Sequence, residues 1–192
     1  MGGKDVWKAL PMTCVIGLET AEGVWMGSDS FFGTDEVCDL IDHPKWFTKG
    51  TLTFGWAGDA RPAQIVEHDL HYRGPRKGEK SLPYLVKVVT KSIHNGLRDA
   101  GCNLRHPGAT DETGTSFLVV FRGKLYMIQG DYSIVRSPRG CAAIGVGSDI
   151  ALGAVSALRG RLPPQEAVKE ALTLAAEWCC QVEGPFHVSL LR

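Results

Sequence analysis

The order in which two kinds of apolar pattern follow each other restricts the fold of this chain more than any single residue does. Two short β-branched and apolar runs come first, at about 13–19 and 23–29, joined by a polar turn that contains Gly23. Ser30 to Asp42 is mixed, with Gly33 and several acids, and reads as a loop with room for short strands. Residues 51–57 (TLTFGWA) read as a strand by their β-branched and aromatic content. Gly58-Asp59 ends that strand, and Asp59 is placed to cap a helix running to about Tyr72. A basic loop with Gly and Pro spans Arg73 to Lys80. Beyond it, Leu82, Leu85, Val86, Val89, Ile93 and Leu97 recur at helical spacing and predict a helix over about 82–99.

After a loop from Gly101 to Asp111, residues 115–121, 124–129 and 132–135 read as a meander of strands broken by Arg122-Gly123 and Gly130-Asp131 turns. A short strand near Cys141–Ile144 leads into Gly145-Val146-Gly147-Ser148-Asp149, which opens a helix to about Leu158. Pro163-Pro164 starts another to about Cys180, and Phe186 to Leu190 is a last strand. The succession is strands, two helices, strands, two helices, strand. It favours sheets covered by segregated helix layers over alternating parallel βαβ units.

The 192 residues suit one domain with a substantial core, and 23 glycines suit a sheet rich in tight turns. Lys plus Arg equals Asp plus Glu at 21 each, so charge points to neither a nucleic-acid nor a membrane partner. A chain this close to neutral is also poorly protected against self-association. The six cysteines show no C-x-x-C spacing, which suits buried thiols in a reducing compartment better than disulfides or zinc. Gly145-x-Gly147-x-x-Ile150 lacks the third glycine of a dinucleotide fingerprint, and Glu67-His68-x-x-His71 is no zinc motif. Residues 1–12 (MGGKDVWKALPM) carry no sustained periodicity and no signal-peptide core. The expected setting is cytoplasmic.

The candidate chemistry begins at Thr13, which opens the first strand. Cutting the chain before Thr13 gives it both a hydroxyl and a free α-amine, a nucleophile with its own base of pKa about 8. Asp29 follows in Gly27-Ser28-Asp29-Ser30, and Lys45 in His43-Pro44-Lys45-Trp46-Phe47. Taken singly, each has an ordinary reading: a strand residue, a turn former and a solvated surface charge.

Together with Phe54-Gly55-Trp56-Ala57-Gly58, Asp111-Glu112-Thr113, Ala143-Ile144-Gly145-Val146-Gly147 and Ala171-Leu172-Thr173-Leu174-Ala175-Ala176 followed by Phe186-His187, these residues resemble the proteasome β-subunit family, its HslV-like members most closely. Asp29 and Lys45 stand at that family's separations from the nucleophile, and the resemblance covers nearly the whole chain from Thr13 onward. It implies an α+β, four-layer αββα sandwich of the Ntn-hydrolase type over 13–192, with 1–12 as a leader or propeptide.

By resemblance, Thr13 is the nucleophile of a threonine-type endopeptidase. Lys45 lies beside it as a cation held by Asp29, and the Gly58 N–H is the oxyanion donor, with Asp59 as the alternative. Ser148 lies near a supporting serine of the family, whose place Val146 takes in the closest alignment; Ser148 serves equally as a helix N-cap. Glu177 and Cys180 fall near an Asp and a Ser that support the nucleophile in proteasomes. The carbonyls of Ala176, Cys179 and Val182 match a site for a monovalent cation such as Na+; no cofactor is required. The family also implies self-assembly into a ring or double ring, an AAA+ unfoldase as partner and unfolded polypeptide as substrate. Two alternatives stand: a catalytically silent subunit that keeps its leader, and an Ntn amidase acting on a small amide through Thr13 or Cys14.

Overall fold

The computed structural model describes residues 12–33, 37–103 and 111–192. Residues 1–11 of the expected leader, and 104–110 of the expected 101–111 loop, lie outside the described residues.

Two antiparallel sheets form the centre. The first joins β1 (Val15–Glu19), β2 (Val24–Ser28), β10 (Cys141–Ile144) and β11 (His187–Leu191) in the order β10-β1-β2-β11. The second runs β5-β6-β7-β8-β9, from β5 (Trp46–Lys49) and β6 (Leu52–Gly58) through β7 (Thr115–Phe121) and β8 (Lys124–Ile128) to β9 (Ile134–Val135). Between β2 and β5 the chain makes a small hairpin of β3 (Phe31–Gly33) and β4 (Cys38–Leu40).

Side chains alternate across each strand, and here both sides are apolar. On β1 and the residue before it, Cys14, Ile16 and Leu18 enter a core shared with α4 (Ser148–Leu158) and α5 (Pro164–Trp178), while Val15 points the other way. On β7, Phe117, Val119 and Phe121 enter a core shared with α1 (Ala60–His68) and the run of α2 (Ser81–Tyr84), a π-helical segment (Leu85–Thr90) and α3 (Lys91–Asp99). Leu118 and Val120 of β7 join Val15, Val24, Met26 and Ala57 in a third core between the sheets. Three apolar layers between four structural layers make the expected αββα sandwich. Gly55 lets the sheets approach closely: a Cβ there would stand 2.9 Å from Val15 Cγ1 and 3.0 Å from the Met26 sulfur.

Several sequence expectations need correction. β5 was hidden, because Trp46–Lys49 is four residues long and follows Pro44 without alternation. The first helix stops at His68, short of Tyr72. Asp59 stands at its N-cap position, but its side chain makes no capping bond. The 82–99 helix forms, yet Leu82 and Val86 are exposed while Leu85, Val89, Ile93 and Leu97 are fully buried. A row spaced by fours drifts about 40° per step around a regular α-helix. The wider π turn unwinds that drift and keeps this row facing the sheet. Tyr132, expected in a strand, sits at φ +66° in the turn before β9. The last helix ends at Trp178 rather than Cys180.

Candidate active site

Thr13 precedes β1, Asp29 follows β2 and Lys45 precedes β5, so neighbouring strand ends of both sheets bring the three together. All three are buried, at 1%, 0% and 1% exposure. Lys45 Nζ donates to Thr13 Oγ1, to Asp29 Oδ1 at 2.8 Å and to the Phe31 carbonyl at 2.6 Å. Thr13 Oγ1 in turn donates to Asp29 Oδ1 at 3.2 Å. The hydroxyl therefore accepts from an ammonium and donates to a carboxylate.

Asp29 is fully engaged. Its Oδ1 also accepts the Cys14 N–H (2.9 Å), and its Oδ2 accepts the Phe31 N–H (3.1 Å). Its own N–H bonds the Cys14 carbonyl at 3.1 Å. One carboxylate thus ties the start of β1 to the β2–β3 corner and holds the lysine by a charge-assisted bond. Burial lowers the Lys45 ammonium below the ordinary lysine value, against the charge and hydrogen bond of Asp29, which raise it.

Backbone and small-residue contacts complete the frame. Ser28 Oγ accepts the Lys45 N–H at 3.2 Å, and Ser30 reaches the far side, its N–H to Glu183 O (2.8 Å) and its Oγ to Pro185 O (2.6 Å). The Gly147 N–H donates to the Thr13 carbonyl at 3.3 Å. Gly145, at φ +94°, lies so close that a Cβ would come within 2.1 Å of that carbonyl oxygen. Sequence reasoning assigned no role to Ser28, Ser30 or Phe31. The two serines flank Asp29 and were visible as neighbours; Phe31 acts through its backbone, which no residue-type signal reveals.

Gly58 ends β6 at φ +114°, where a Cβ would meet Gly114 O at 2.0 Å. Trp56 gives its N–H to the Lys45 carbonyl at 3.0 Å. Strand alternation aims the Gly58 N–H to that same side, past the start of β5. The Asp59 N–H is engaged with Gly114 O at 3.3 Å, so Gly58 is the better placed donor of the two.

Ser148 is not the N-cap: Gly147 holds that position, and Ser148 is the first residue of α4, its N–H on Gly145 O at 3.1 Å. Val146 packs against the outer core, which accounts for an apolar residue there. Glu177 and Cys180 are exposed, whereas Thr13 is buried, so neither backs the nucleophile. Cys14 is fully buried, and desolvation, then the Asp29 charge, pushes its thiol far up, which disfavours a thiolate nucleophile.

Ala176, Cys179 and Val182 surround the end of α5. The last helical bond runs from the Cys179 N–H to Ala175 O, so the Ala176 carbonyl is one of the unpaired helix-end acceptors. The Cys179 carbonyl takes the Val182 N–H at 3.0 Å and keeps one lone pair. Such carbonyls fit a hard monovalent cation and offer nothing to a transition metal. Among the described residues, no group of three His, Cys, Asp or Glu is placed to hold a metal ion.

Neither a family model nor a curated protein matches the chain. Solved structures do. BPH from Thiobacillus denitrificans aligns at a TM-score of 0.76 and 15% identity, covering 94% of this chain and 98% of that one. The same protein in complex with epoxomicin aligns at 0.75. HslV from Trypanosoma brucei aligns at 0.64 and 16% identity over 94% and 99% of the two chains. Anbu from Pseudomonas aeruginosa, solved as a helical assembly, aligns at 0.62 and 14% identity over 94% and 81%. At these identities the likeness shows the fold, which is the proteasome-like Ntn-hydrolase sandwich.

Proposed function

We propose that this chain is a threonine-type endopeptidase of a compartmentalised, proteasome-like assembly, with Thr13 as its N-terminal nucleophile once residues 1–12 are removed. The observation that carries this reading is the buried Thr13 hydroxyl, held between Lys45 Nζ and Asp29 Oδ1.

With the leader gone, Thr13 Oγ attacks the scissile carbonyl carbon and the α-amine of Thr13 takes the hydroxyl proton. Lys45 stabilises developing negative charge on Oγ, and Asp29 holds Lys45 in place. The Gly58 N–H meets the oxyanion of the tetrahedral intermediate. As that intermediate collapses, the amine returns the proton to the leaving nitrogen. Water then hydrolyses the Thr13 ester and frees the second product.

The reading extends to a ring or double ring of identical chains in the cytoplasm, fed unfolded polypeptide by an AAA+ unfoldase. Among the described residues, no helix is long and apolar enough to cross a membrane. The Ala176, Cys179 and Val182 carbonyls would hold Na+ and brace the end of α5. Ser148, at the start of α4, is left as a support for the loop that binds the Thr13 carbonyl.

A second reading keeps the leader. With Met12 in place the Thr13 nitrogen is a peptide amide and no base, and the Thr13 side chain is only 1% exposed. A silent subunit would keep that arrangement. A small-amide hydrolase acting through Cys14 finds no support in so deeply buried a thiol.

Intact mass and N-terminal sequencing, joined to peptidase assays, test the proposal. The expected result is a chain starting at Thr13 that cleaves fluorogenic peptides, with both properties lost in Thr13→Ala and Lys45→Ala. Epoxomicin, bound by BPH, is the ligand to try first, and its expected adduct maps to Thr13. A wild-type chain that keeps residues 1–12 after assembly and turns over no peptide refutes the proposal in favour of the silent subunit.

A further inference from the structure

Equal totals of acidic and basic residues conceal an uneven distribution. Thr13 stands before one end of β1 and Glu19 ends the other, and Glu19 belongs to a run of contacts that crosses all four layers at the end away from the site. Lys124, at the start of β8, lies 3.5 Å from Glu19, and Arg136, just after β9, lies 3.0 Å from it. Two residues before Lys124, Arg122 donates to the Glu79 carbonyl at 2.7 Å, which joins the β7–β8 turn to the basic loop ahead of α2. In that loop Arg73 grips the Glu79 carboxylate through two guanidinium nitrogens, at 2.8 and 2.6 Å. On the other side the Glu19 N–H bonds Gly140 O at 2.7 Å, and Arg159, just past α4, donates to the Arg139 carbonyl.

These contacts make a continuous basic stripe, completed at its outer end by Arg76, Lys77 and Lys80. It carries nine of the chain's 21 Lys and Arg residues, all nine exposed. Arg73, Lys124 and Arg136 pair with carboxylates, and exposed Glu22 stands in the neighbouring β1–β2 turn. Among the described residues the other six cations have no carboxylate partner. Apolar side chains lie between them: Val135, 41% exposed, precedes Arg136, and Leu82, 48% exposed, stands two residues after Lys80. Phe32 and Trp178, the exposed large aromatic side chains among the described residues, lie elsewhere, one beside Phe31 and the other at the end of α5.

We propose that this stripe docks an acidic polypeptide segment, with apolar residues interspersed, of a partner protein. The charge calls for a polyanion, and the rest of the surface selects which kind. Single-stranded nucleic acid binds by stacking bases on exposed aromatic rings, which the stripe lacks. A duplex brings phosphates and nothing to cover Val135 and Leu82. An acidic segment with leucine or valine between its carboxylates satisfies the cations and buries the apolar side chains behind a charged rim. With layers about 10 Å apart the stripe is about 30 Å long, room for about nine residues of extended chain. Its cations are held by contacts within the fold before any partner arrives, which lowers the ordering cost of binding. Because it lies at the far end of the sheets, an occupied stripe leaves the Thr13 end open, and the proposal stands apart from the peptidase chemistry.

The test is fluorescence anisotropy with a labelled peptide of about ten residues, mostly Glu with Leu interspersed, a length that spans the stripe. It is run on the full wild-type chain and on Thr13→Ala, which cannot cleave the probe, so its outcome is independent of peptidase activity. Saturable micromolar binding is expected at low salt, falling by about tenfold or more at physiological ionic strength. Arg76→Glu/Lys77→Glu at one end of the stripe and Arg139→Glu at the other are each expected to weaken binding about tenfold with the thermal midpoint kept. Lys91→Glu/Arg98→Glu, exposed on α3 and off the stripe, is expected to change it less than about twofold. Serine in place of the peptide's leucines is expected to cost about tenfold. Absence of binding, indifference to both stripe variants, an equal loss in the α3 variant, or a serine peptide that binds as well overturns the proposal. So does a DNA duplex bound more tightly than the peptide.

Discussion

Lys45→Met removes one half of a buried ion pair and leaves the other half in place. The Asp29 carboxylate stays at 0% exposure with its charge partner gone, and the Phe31 carbonyl loses its 2.6 Å donor. Breaking such a pair costs about 3–5 kcal/mol, because a buried charge is left uncompensated. Three donors remain on Asp29, the Cys14 and Phe31 amides and the Thr13 hydroxyl, which places the cost near the lower end, at about 3 kcal/mol. For a chain of this size that is a fall in thermal midpoint of roughly 6–12 °C. The discriminating measurement is a double-mutant cycle with Asp29→Asn, followed by circular dichroism in urea. If the uncompensated charge is the cause, Lys45→Met/Asp29→Asn is more stable than the sum of the single effects predicts, by about 1–2 kcal/mol. Additive effects, or a Lys45→Met chain as stable as wild type, refute the reasoning.

The same lysine sets a pH signature. Its folded-state pKa lies below the ordinary 10.5, so the unfolded chain binds more protons in the window between the two values. Wild type is therefore expected to gain stability relative to Lys45→Met as pH rises through that window, and urea midpoints from pH 8 to 10.5 measure it. Gly58→Ala forces a side chain into a left-handed backbone and against Gly114 O; a loss of about 3 kcal/mol in urea melts is expected. On the π-containing helix, Ile93→Ala is expected to cost about 2–5 kcal/mol and Val86→Ser under about 0.5 kcal/mol, although both positions fit the same apolar pattern. Ellman's reagent is expected to modify exposed Cys38 and Cys180 in the native chain and to reach buried Cys14 only after unfolding.

The residues that meet at Thr13 were legible through the family resemblance, whose separations they keep, while the reasons they meet were not. Thr13, Asp29 and Lys45 lie 16 and 32 positions apart on three strand ends, and composition alone says nothing about which ends adjoin. Segregated helix layers were legible because strands and helices come in blocks, whereas the four-layer order came from the family resemblance; the structure adds that both faces of β1 and β7 are buried among apolar side chains. Ser148 misled because a serine after Gly-x-Gly is a good cap in general. Here Gly147 holds that position, its N–H drawn to the Thr13 carbonyl. The exposed face of Val86 was unreadable for another reason: a π turn shifts register without leaving a residue-type mark.

Thr13 and Asp29 adjoin strands of one sheet and Lys45 adjoins a strand of the other, so the ion pair straddles the seam between them. That seam is filled by Val15, Met26 and the bare backbone of Gly55. A methyl group added or lost there moves one sheet against the other, and the nucleophile is where the slip is felt. The site works as a vernier for the sandwich. Substitutions in a layer that substrate never touches should register first as altered geometry between a lysine and a threonine, before the chain as a whole loses its fold.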